Sequence, residues 1–323
     1  MKKKINVIAE IGINHDGSFN KAKKLINLAK KSGADAVKFQ LFKPEDLYIS
    51  VNKSFKSASK FQLKKQEIYK LRQYAKKKNI KFICTAFSLE SASFLKSIKV
   101  DAIKIASMDA NNYLLIEHCL SLNLPLIIST GMCNINDLKK LSKVVKNSKN
   151  ISILHCLSNY PSKIHDINLG SLKKIKKIFN KNILIGYSDH TVGYIACITA
   201  ITQGATILEK HFTIQKKDYF DHVHSADEQD MTIITNFAKN YNLCLGNPNF
   251  LNKRKDLSNK KLFRRGVYCK IKIKKGSLLS EENIIMARPQ KNSRIELDKN
   301  LFRKKVNKTL NKNTLVDIKN IKN

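Results

Sequence analysis

Long hydrophobic runs are missing from this sequence of 323 residues. No apolar run approaches the ~18 residues that a membrane-spanning helix needs, so the sequence predicts no transmembrane segment. The basic start of the chain leads into an apolar stretch that contains Glu10 and is followed by the polar Asn14–Asp16. The start therefore lacks the uninterrupted apolar region and the cleavage site of a signal peptide. We expect a cytoplasmic protein with no membrane partner.

Arginine and acidic residues are both scarce. Lys and Arg number 61 against 25 Asp and Glu, a formal net charge of +36, but only 7 of these cations are Arg. Proteins that bind phosphate groups or recognise nucleic-acid bases favour Arg, because its planar guanidinium forms two hydrogen bonds at once. The Lys residues are spread along the chain rather than gathered in one stripe. We therefore expect no nucleic-acid partner, although such a basic field concentrates small anionic substrates.

Paired cysteine motifs are absent as well. The seven cysteines form no Cys-x-x-Cys pair, and their number is odd; they are Cys84, Cys119, Cys133, Cys156, Cys197, Cys244 and Cys269. This pattern indicates neither a disulfide framework nor a zinc knuckle. We expect reduced and mostly buried thiols.

Short apolar runs alternate with longer amphipathic segments about eight times. The runs show little alternation, as is typical of parallel strands buried on both faces; they are Ile5–Ile13, Ala36–Phe42, Lys81–Phe87, Ala102–Ser107, Pro125–Gly131, Ile151–Ser158, Asn182–His190 and Ala205–Thr213. Between the first two, apolar residues recur at helical spacing at Ala22, Leu25, Ile26 and Ala29. Eight strand–helix units predict an α/β fold, a (β/α)8 TIM barrel. A doubly wound open sheet is the alternative.

The pattern changes after Leu245–Asn249, where a polar, charged stretch begins. We predict a barrel domain over residues 1–250, a linker over 251–261 and a small domain over 262–323. In the small domain, alternating apolar residues from Val267 to Ile273 predict a half-buried strand, closed by a turn at Lys275 and Gly276.

Polar residues gather at the ends of the predicted barrel strands. Functional groups of such barrels come from the carboxyl ends of the strands and the loops after them. The candidates there are Glu10, Lys38, Gln40, Thr85, Lys104, Ser107, Asp109, Ser129, Ser158, Asn159, Ser188, His190, Glu209 and His211. Because all eight strands end this way, we predict an active site at this end of the barrel.

His190 and His211 lie 21 positions apart, about one strand–helix–strand repeat. Both side chains are therefore expected at the rims of adjacent strands, where two neutral imidazoles can share a divalent ion. The segment Asp221–His224 offers a further oxygen ligand or a substrate contact, or it is simply a polar loop.

Lys38 and Lys104 occupy strands that should point inward. A cation inside a barrel must meet an anion or lose its proton. Three readings stay open: a structural pair with Glu10, a clamp for a phosphate or carboxylate, and a Schiff-base lysine. Two lysines among Ser, Thr and Asn donors favour the anion clamp.

Together these residues resemble the sialic acid synthases, also called N-acetylneuraminate synthases. The motifs occur in order along the barrel sequence: AEIGINHDG at 9–17, VKFQ at 37–40, FICTAFS at 82–88, KIAS at 104–107, STGM at 129–132, LHC at 154–156, YP at 160–161, GYSDHT at 186–191 and LEKHFT at 208–213. The C-terminal module resembles the antifreeze-like (SAF) domain of these synthases through Arg264-Arg265, Ile273–Gly276 and Arg288-Pro289.

The resemblance implies condensation of phosphoenolpyruvate with N-acetylmannosamine or a related amino sugar, with release of phosphate. It implies that His190 and His211 bind a divalent metal, Mn²⁺ with Mg²⁺ or Co²⁺ as alternatives, and that Glu10 lies beside the metal and the reacting atoms. Phosphoenolpyruvate would be held by Lys38, Thr85, Lys104, Ser107, Ser129, Ser158 and Ser188. Further substrate-binding candidates are Gln40, Asp109, Asn159, Tyr160 and Asp221. Arg288 would reach the partner's site in a domain-swapped homodimer.

Several residues depart from the family pattern. Asp109 stands where members using N-acetylmannosamine carry Glu, Ala86 replaces a usual Pro, and Ser158-Asn159 replaces a Thr/Asn-type pair. The stretch after Arg288-Pro289 lacks the usual glycines. These departures favour a modified acceptor, such as a 2,4-diacetamido-trideoxy hexose.

Two other functions compete with this one. A different phosphoenolpyruvate-dependent synthase of a 3-deoxy-ulosonate phosphate shares the barrel and chemistry, but such enzymes normally lack a SAF module. A non-catalytic sugar-binding protein would not need intact Glu10, Lys38, Lys104 and both histidines.

Overall fold

The computed structural model describes residues 4–247, 249 and 254–322. Eight parallel strands pair in sequence order and close into a barrel. They are β1 (Asn6–Glu10), β2 (Ala36–Leu41), β3 (Lys81–Ala86), β4 (Ala102–Ile105), β5 (Leu126–Ser129), β6 (Ile151–Cys156), β7 (Leu184–Asp189) and β8 (Ile207–His211). Closure comes from β1 pairing with β8, with Glu10 opposite His211. The predicted (β/α)8 barrel is confirmed, and the open doubly wound sheet is wrong.

Helices follow the strands and cover the outside of the barrel. They are α1 (Phe19–Lys31), α2 (Pro44–Leu47), α3 (Lys53–Phe61), α4 (Lys65–Lys77), α5 (Leu89–Ser97), α6 (Tyr113–Ser121), α7 (Ile135–Val144), α8 (Leu172–Ile178), α9 (Ile195–Thr202) and α10 (Glu228–Leu245). In α1, Ser18 caps the first turn by accepting a hydrogen bond from the backbone N–H of Lys21. The predicted apolar face of this helix, from Ala22 to Ala29, is fully buried.

One apolar layer fills the inside of the barrel. It is formed by Ile8, Ala36, Ile83, Ala102, Ile127, Leu154 and Ile207. Side chains alternate between the two faces of a strand, so the residue two positions further on faces inward as well. Those next residues include Glu10, Lys38, Thr85, Lys104, Ser129 and Glu209. The period of the strands therefore stacks a polar layer directly on the apolar one.

The chain divides into two compact units, Met1–Cys244 and Leu245–Asn323. Met1–Lys3 and residues 251–253 of the predicted linker lie outside the described residues. The rest of that stretch forms a 3-10 helix at Lys255–Asn259 and α11 at Lys260–Phe263.

The second unit contains two short antiparallel pairs. β9 (Gly266–Cys269) pairs with β10 (Ile284–Ala287), and β11 (Lys305–Val306) pairs with β12 (Ile321–Lys322). They enclose a core of their own around Val267, Cys269, Ile273, Leu279, Ile284, Leu310 and Val316.

The strand predicted up to Ile273 is too long. It ends at Cys269, because the chain bends at Ile271, whose side chain is 52% exposed. Beyond the bend Ile273 forms an isolated bridge with Leu310 instead. The predicted turn is confirmed: Lys275 and Gly276 form it, with Gly276 in the left-handed region at φ +87°.

The cysteine prediction is confirmed, since all seven are free thiols and five of them are buried. Within residues 4–247, 249 and 254–322, no helix has the length and apolar character needed to cross a membrane.

A buried ion pair joins β7 and β8 on the outer face of the barrel wall. Lys210 Nζ lies 2.7 Å from Asp189 Oδ2, and neither side chain is exposed. Asp189 also accepts hydrogen bonds from the Tyr187 hydroxyl at 2.9 Å and from the backbone N–H of Thr191 at 3.0 Å. Burial opposes ionisation of this carboxyl group, but Lys210 outweighs burial and holds the pKa of Asp189 below its ordinary value.

We expect Asp189→Asn to lower the free energy of unfolding by about 3–5 kcal/mol, because Lys210 would keep a buried charge without its carboxylate. Urea unfolding measures the change. The control is Glu90→Gln, which removes exposed pairs with Lys43 and Lys65 and should not shift the midpoint measurably. Equal midpoints for both variants would contradict the structural role of the buried pair.

Candidate functional site

Two oppositely charged side chains meet on the inner face of β1 and β2. Lys38 Nζ lies 2.8 Å from Glu10 Oε2, and both residues are almost fully buried. Lys38 also donates a hydrogen bond to Thr85 Oγ1 at 3.1 Å, and Gln40 Nε2 donates to Glu10 Oε1 at 2.9 Å. Burial disfavours the charged amine, but Glu10 and Glu209 reverse that effect and raise the pKa of Lys38. The structural pair that the sequence left open is present.

Glu209 is a site residue to which the sequence analysis gave no role. Its Oε1 atom accepts a hydrogen bond from Ser188 Oγ at 3.0 Å and lies 3.8 Å from the Nζ atoms of both Lys38 and Lys104. Burial favours the neutral acid, but the two lysines outweigh it and lower the pKa of Glu209. The available signal was its spacing, two residues after Ile207 of the apolar layer.

Lys104 is less well paired than Lys38. Its Nζ atom donates to the backbone carbonyl of Ile105 at 3.2 Å, and its nearest carboxylate is Glu209 at 3.8 Å. Burial lowers the pKa of Lys104, Glu209 opposes this, and the positive charge of Lys38 adds to the lowering. An incoming anion would supply the charge partner that Lys104 lacks.

Serine hydroxyls converge around Gly131, which follows β5. The backbone N–H of Gly131 donates to Ser107 Oγ at 3.1 Å. A Cβ atom at Gly131 would lie 2.1 Å from Ser158 Oγ and 2.8 Å from Ser107 Oγ, so a larger residue there would displace these two hydroxyls. Ser129 Oγ is buried and has no hydrogen-bond partner among the described residues. The strand ends thus hold a group of hydroxyls beside the lysines.

Three imidazoles cluster beyond the carboxyl ends of β7 and β8. The ring centroids of His190 and His211 are 5.4 Å apart, and that of His224 lies 4.7 Å from His211 and 5.8 Å from His190. The Tyr160 ring packs on His190 at 4.1 Å. His190 Nδ1 lies 2.7 Å from the carbonyl oxygen of Leu157, which fixes the ring and leaves Nε2 free.

Asp221 lies beside the cluster. Its Oδ2 atom is 3.3 Å from His211 Nδ1, a contact that is not aligned as a hydrogen bond. Burial favours neutral His211, but Asp221 outweighs burial and raises the pKa of that histidine. Burial and the charge of His211 lower the pKa of His190 to about 4. These opposite shifts are typical of functional sites.

Gly12 lies between the carboxylates of Glu10 and Asp221. A Cβ atom there would lie 3.0 Å from Glu10 Oε1, 3.4 Å from Asp221 Oδ2 and 3.4 Å from Gln40 Nε2. Gly12 has φ +50°, in the left-handed region that glycine adopts without strain. The Lys–Glu group and the imidazole cluster therefore form one continuous site.

His224 is the second site residue that received no individual role from the sequence. It ends the 3-10 helix Phe220–Val223, in the segment that the sequence analysis left as either a ligand source or a polar loop. His211, Asp221 and His224 each offer a ligand atom, and these atoms lie within 4.8 Å of one another. Helical or strand periodicity does not govern this segment, so its path could not be read from the sequence.

A cavity of about 450 Å³ opens next to these residues. Gln40, Tyr160, His211 and Asp221 line its polar side. Its other walls are largely apolar and include Phe42, Leu47, Phe61, Phe87, Met108 and Phe220. The cavity can therefore hold a small molecule with polar groups at one end and methyl groups at the other.

Three predicted residues are not shown in contact with these groups. Asp109 is half-buried and accepts a hydrogen bond from Asn112 Nδ2 at 3.1 Å. Asn159 is exposed, and its backbone carbonyl accepts from Ser162 Oγ at 2.8 Å. Arg288 belongs to the second unit, where its guanidinium carbon lies 6.0 Å from the centre of the Phe263 ring. Their roles toward substrate stay predictions.

Comparisons with known proteins identify the family. A model described as the NeuB family matches residues 25–249. An N,N'-diacetyllegionaminic acid synthase of Legionella pneumophila is 34% identical over 307 residues, covering 88% of this chain and 85% of that protein. A pseudaminic acid synthase of Campylobacter jejuni is 32% identical over 325 residues, covering 95% and 94%.

A solved structure agrees with this assignment. The crystal structure of N-acetylneuraminic acid synthetase from Leptospira borgpetersenii matches with a TM-score of 0.74 and 29% identity, over 79% of this chain and 90% of that chain. The chain therefore belongs to the NeuB family, the family of sialic acid synthases that its motifs resemble.

Proposed function

We propose that this protein is a nonulosonic acid synthase that condenses phosphoenolpyruvate with an N-acetylated amino sugar and releases phosphate. The observation that carries the proposal is the joining of two groups at one end of the barrel. A buried, weakly paired lysine among hydroxyls suits a small polyanion, and the imidazole cluster beside it suits a divalent ion. The named relatives are synthases of acids of this class.

Phosphoenolpyruvate would bind at the lysines. Lys104 and Lys38 would neutralise its phosphate and carboxylate, a preorganised electrostatic effect of the kind that usually dominates catalysis. The hydrogen-bond donors around it would be Thr85, Ser107, Ser129, Ser158 and Ser188. Because Lys38 is already paired with Glu10, Lys104 would contribute more of the new anion binding.

The imidazole cluster fits a divalent metal. Within the described part of the chain, His211 Nδ1 and both ring nitrogens of His224 are buried without hydrogen-bond partners. We assign the metal to His190 and His211, with Mn²⁺ as the first choice and Mg²⁺ or Co²⁺ as alternatives. Bound there, the ion would act as a Lewis acid toward the aldehyde oxygen of the open-chain sugar.

The proposed reaction has two stages. The methylene carbon of phosphoenolpyruvate bonds to the aldehyde carbon of the sugar, which builds positive charge at the phosphate-bearing C2. Water then adds at C2, and the C2–O bond to phosphate breaks. Glu10 lies next to Lys38, and its carboxylate and that of Asp221 both approach Gly12. Glu10 would transfer the proton of the water or of the new alkoxide.

The apolar walls of the cavity favour a deoxygenated acceptor. Phe61, Phe87 and Phe220 would pack against methyl groups better than against hydroxyls. We therefore propose a 2,4-diacetamido-trideoxy hexose as the acceptor, with N-acetylmannosamine as the alternative. Gln40, Tyr160 and Asp221 would bind its polar groups.

The C-terminal unit completes the proposal. We assign it as a SAF domain and propose that Arg288 enters the partner's site in a domain-swapped homodimer. The cytoplasmic location also stays a prediction.

The first test supplies the enzyme with Mn²⁺, phosphoenolpyruvate and each sugar in parallel, and measures released phosphate. We expect release with both sugars and a higher kcat/KM with the diacetamido-trideoxy hexose, because methyl groups match the apolar walls. Chelation by EDTA should stop release, and added Mn²⁺ should restore it. No release with any sugar, despite bound Mn²⁺, would contradict the proposed function.

A second test addresses Glu10. We expect Glu10→Gln to lower kcat for phosphate release about 10²–10⁴-fold, because an amide cannot accept the proton. The control is Glu117→Gln on the exposed face of α6, which should leave kcat unchanged. Near-normal turnover of Glu10→Gln would remove Glu10 from proton transfer.

A third test separates the two lysines. Lys38→Met should lower the free energy of unfolding by about 3–5 kcal/mol, because Glu10 loses its buried partner. Lys104→Met should cost less stability, since Glu209 keeps Lys38 and Ser188, but it should raise the KM for phosphoenolpyruvate at least about tenfold. Urea unfolding and initial rates measure the two effects. The opposite ranking would show that the roles of the lysines are exchanged.

A further inference from the structure

His224 is buried without a hydrogen bond among the described residues. Its side chain is fully buried, and neither Nδ1 nor Nε2 has a hydrogen-bond partner among the residues that the structure describes. Buried imidazoles normally hydrogen-bond, so each unpaired nitrogen requires an explanation. The neighbouring His222 shows the ordinary case, with Nδ1 at 2.7 Å from Thr213 Oγ1 and Nε2 at 3.2 Å from Asp16 Oδ1.

Hydrogen bonds fix the segment that carries His224 against the end of β8. The backbone N–H of Ala226 donates to the carbonyl of His211 at 2.7 Å, and Thr213 N–H donates back to Ala226 at 2.9 Å. Asn14 Nδ2 donates to Ser225 Oγ at 2.8 Å. His224 is therefore held in place beside His211 rather than carried by a free loop.

The surroundings of the ring match a metal site. His211 and Asp221 offer ligand atoms within 4.8 Å of one on His224, and the His190 ring lies 5.8 Å away. A divalent ion would bind one of the two ring nitrogens that have no hydrogen-bond partner among the described residues.

We propose that His224 is a direct ligand of the divalent metal, together with His211. It would make the site richer in imidazole than the predicted histidine pair alone. Imidazole ligands favour Co²⁺ and Zn²⁺ over Mg²⁺. This inference shares the metal site with the proposed function, but it does not depend on the sugar or on phosphoenolpyruvate.

The experiment measures Co²⁺ binding to the full chain without substrates, by titration calorimetry and by visible absorption. We expect His224→Leu, which fills a similar volume without a ligand atom, to raise the Kd for Co²⁺ at least about tenfold. The control is His165→Leu, since His165 is a histidine with 74% of its side chain exposed. That variant should keep the Kd of the parent protein.

A second variant keeps the test valid if His224→Leu folds poorly. His224→Cys places a thiolate at the same position, and a bound Co²⁺ should then give a sulfur-to-cobalt charge-transfer band that the parent protein lacks. An unchanged Kd in His224→Leu together with no such band in His224→Cys would overturn the proposal. If the parent protein binds Co²⁺ but releases no phosphate with any sugar, that result would instead count against the proposed reaction.

Discussion

Charge balance inside the barrel is the constraint on which the site depends. Lys38 and Lys104 project into the same space as Glu10 and Glu209, and all four side chains are buried. An isolated buried charge costs free energy, so the charged side chain on each strand requires an opposite charge on a neighbouring strand. The balance is uneven, however, because Glu10 lies 2.8 Å from Lys38, whereas the carboxylate beside Lys104 is that of Glu209 at 3.8 Å. That unevenness leaves Lys104 less fully neutralised than Lys38.

The same strands supply both stability and chemistry. Side chains alternate between the two faces of β8. Ile207 therefore lies in the apolar layer and Glu209 in the polar layer, and Lys210 points outward to its buried pair with Asp189. His211, at the end of the strand, reaches the imidazole cluster. A change of one residue in the register of β8 would exchange these faces and lose the core, the charge balance and the imidazole cluster together.

The barrel and the positions of its two strand-end histidines could be predicted, because both follow from repeating patterns in the sequence. Buried parallel strands and the spacing of His190 and His211 follow from strand and repeat lengths. The roles of Glu209 and His224 did not follow: an acid within an apolar strand has meaning only once the facing lysines are known, and a short 3-10 segment has no period to read. Likewise, Ile271 fits an alternating strand, but the chain bends there and Ile271 is exposed, and the next apolar residue, Ile273, pairs with Leu310 instead.

Barrel closure also brings the lysine–glutamate group and the imidazole cluster next to each other. Glu10 of β1 pairs with Lys38 on one side and lies opposite His211 of β8 on the other. Its carboxylate and that of Asp221 approach the same point beside Gly12, and the Gln40 amide lies there as well. An anion bound by the lysines and a cation bound by the imidazoles would therefore each alter the field at Glu10.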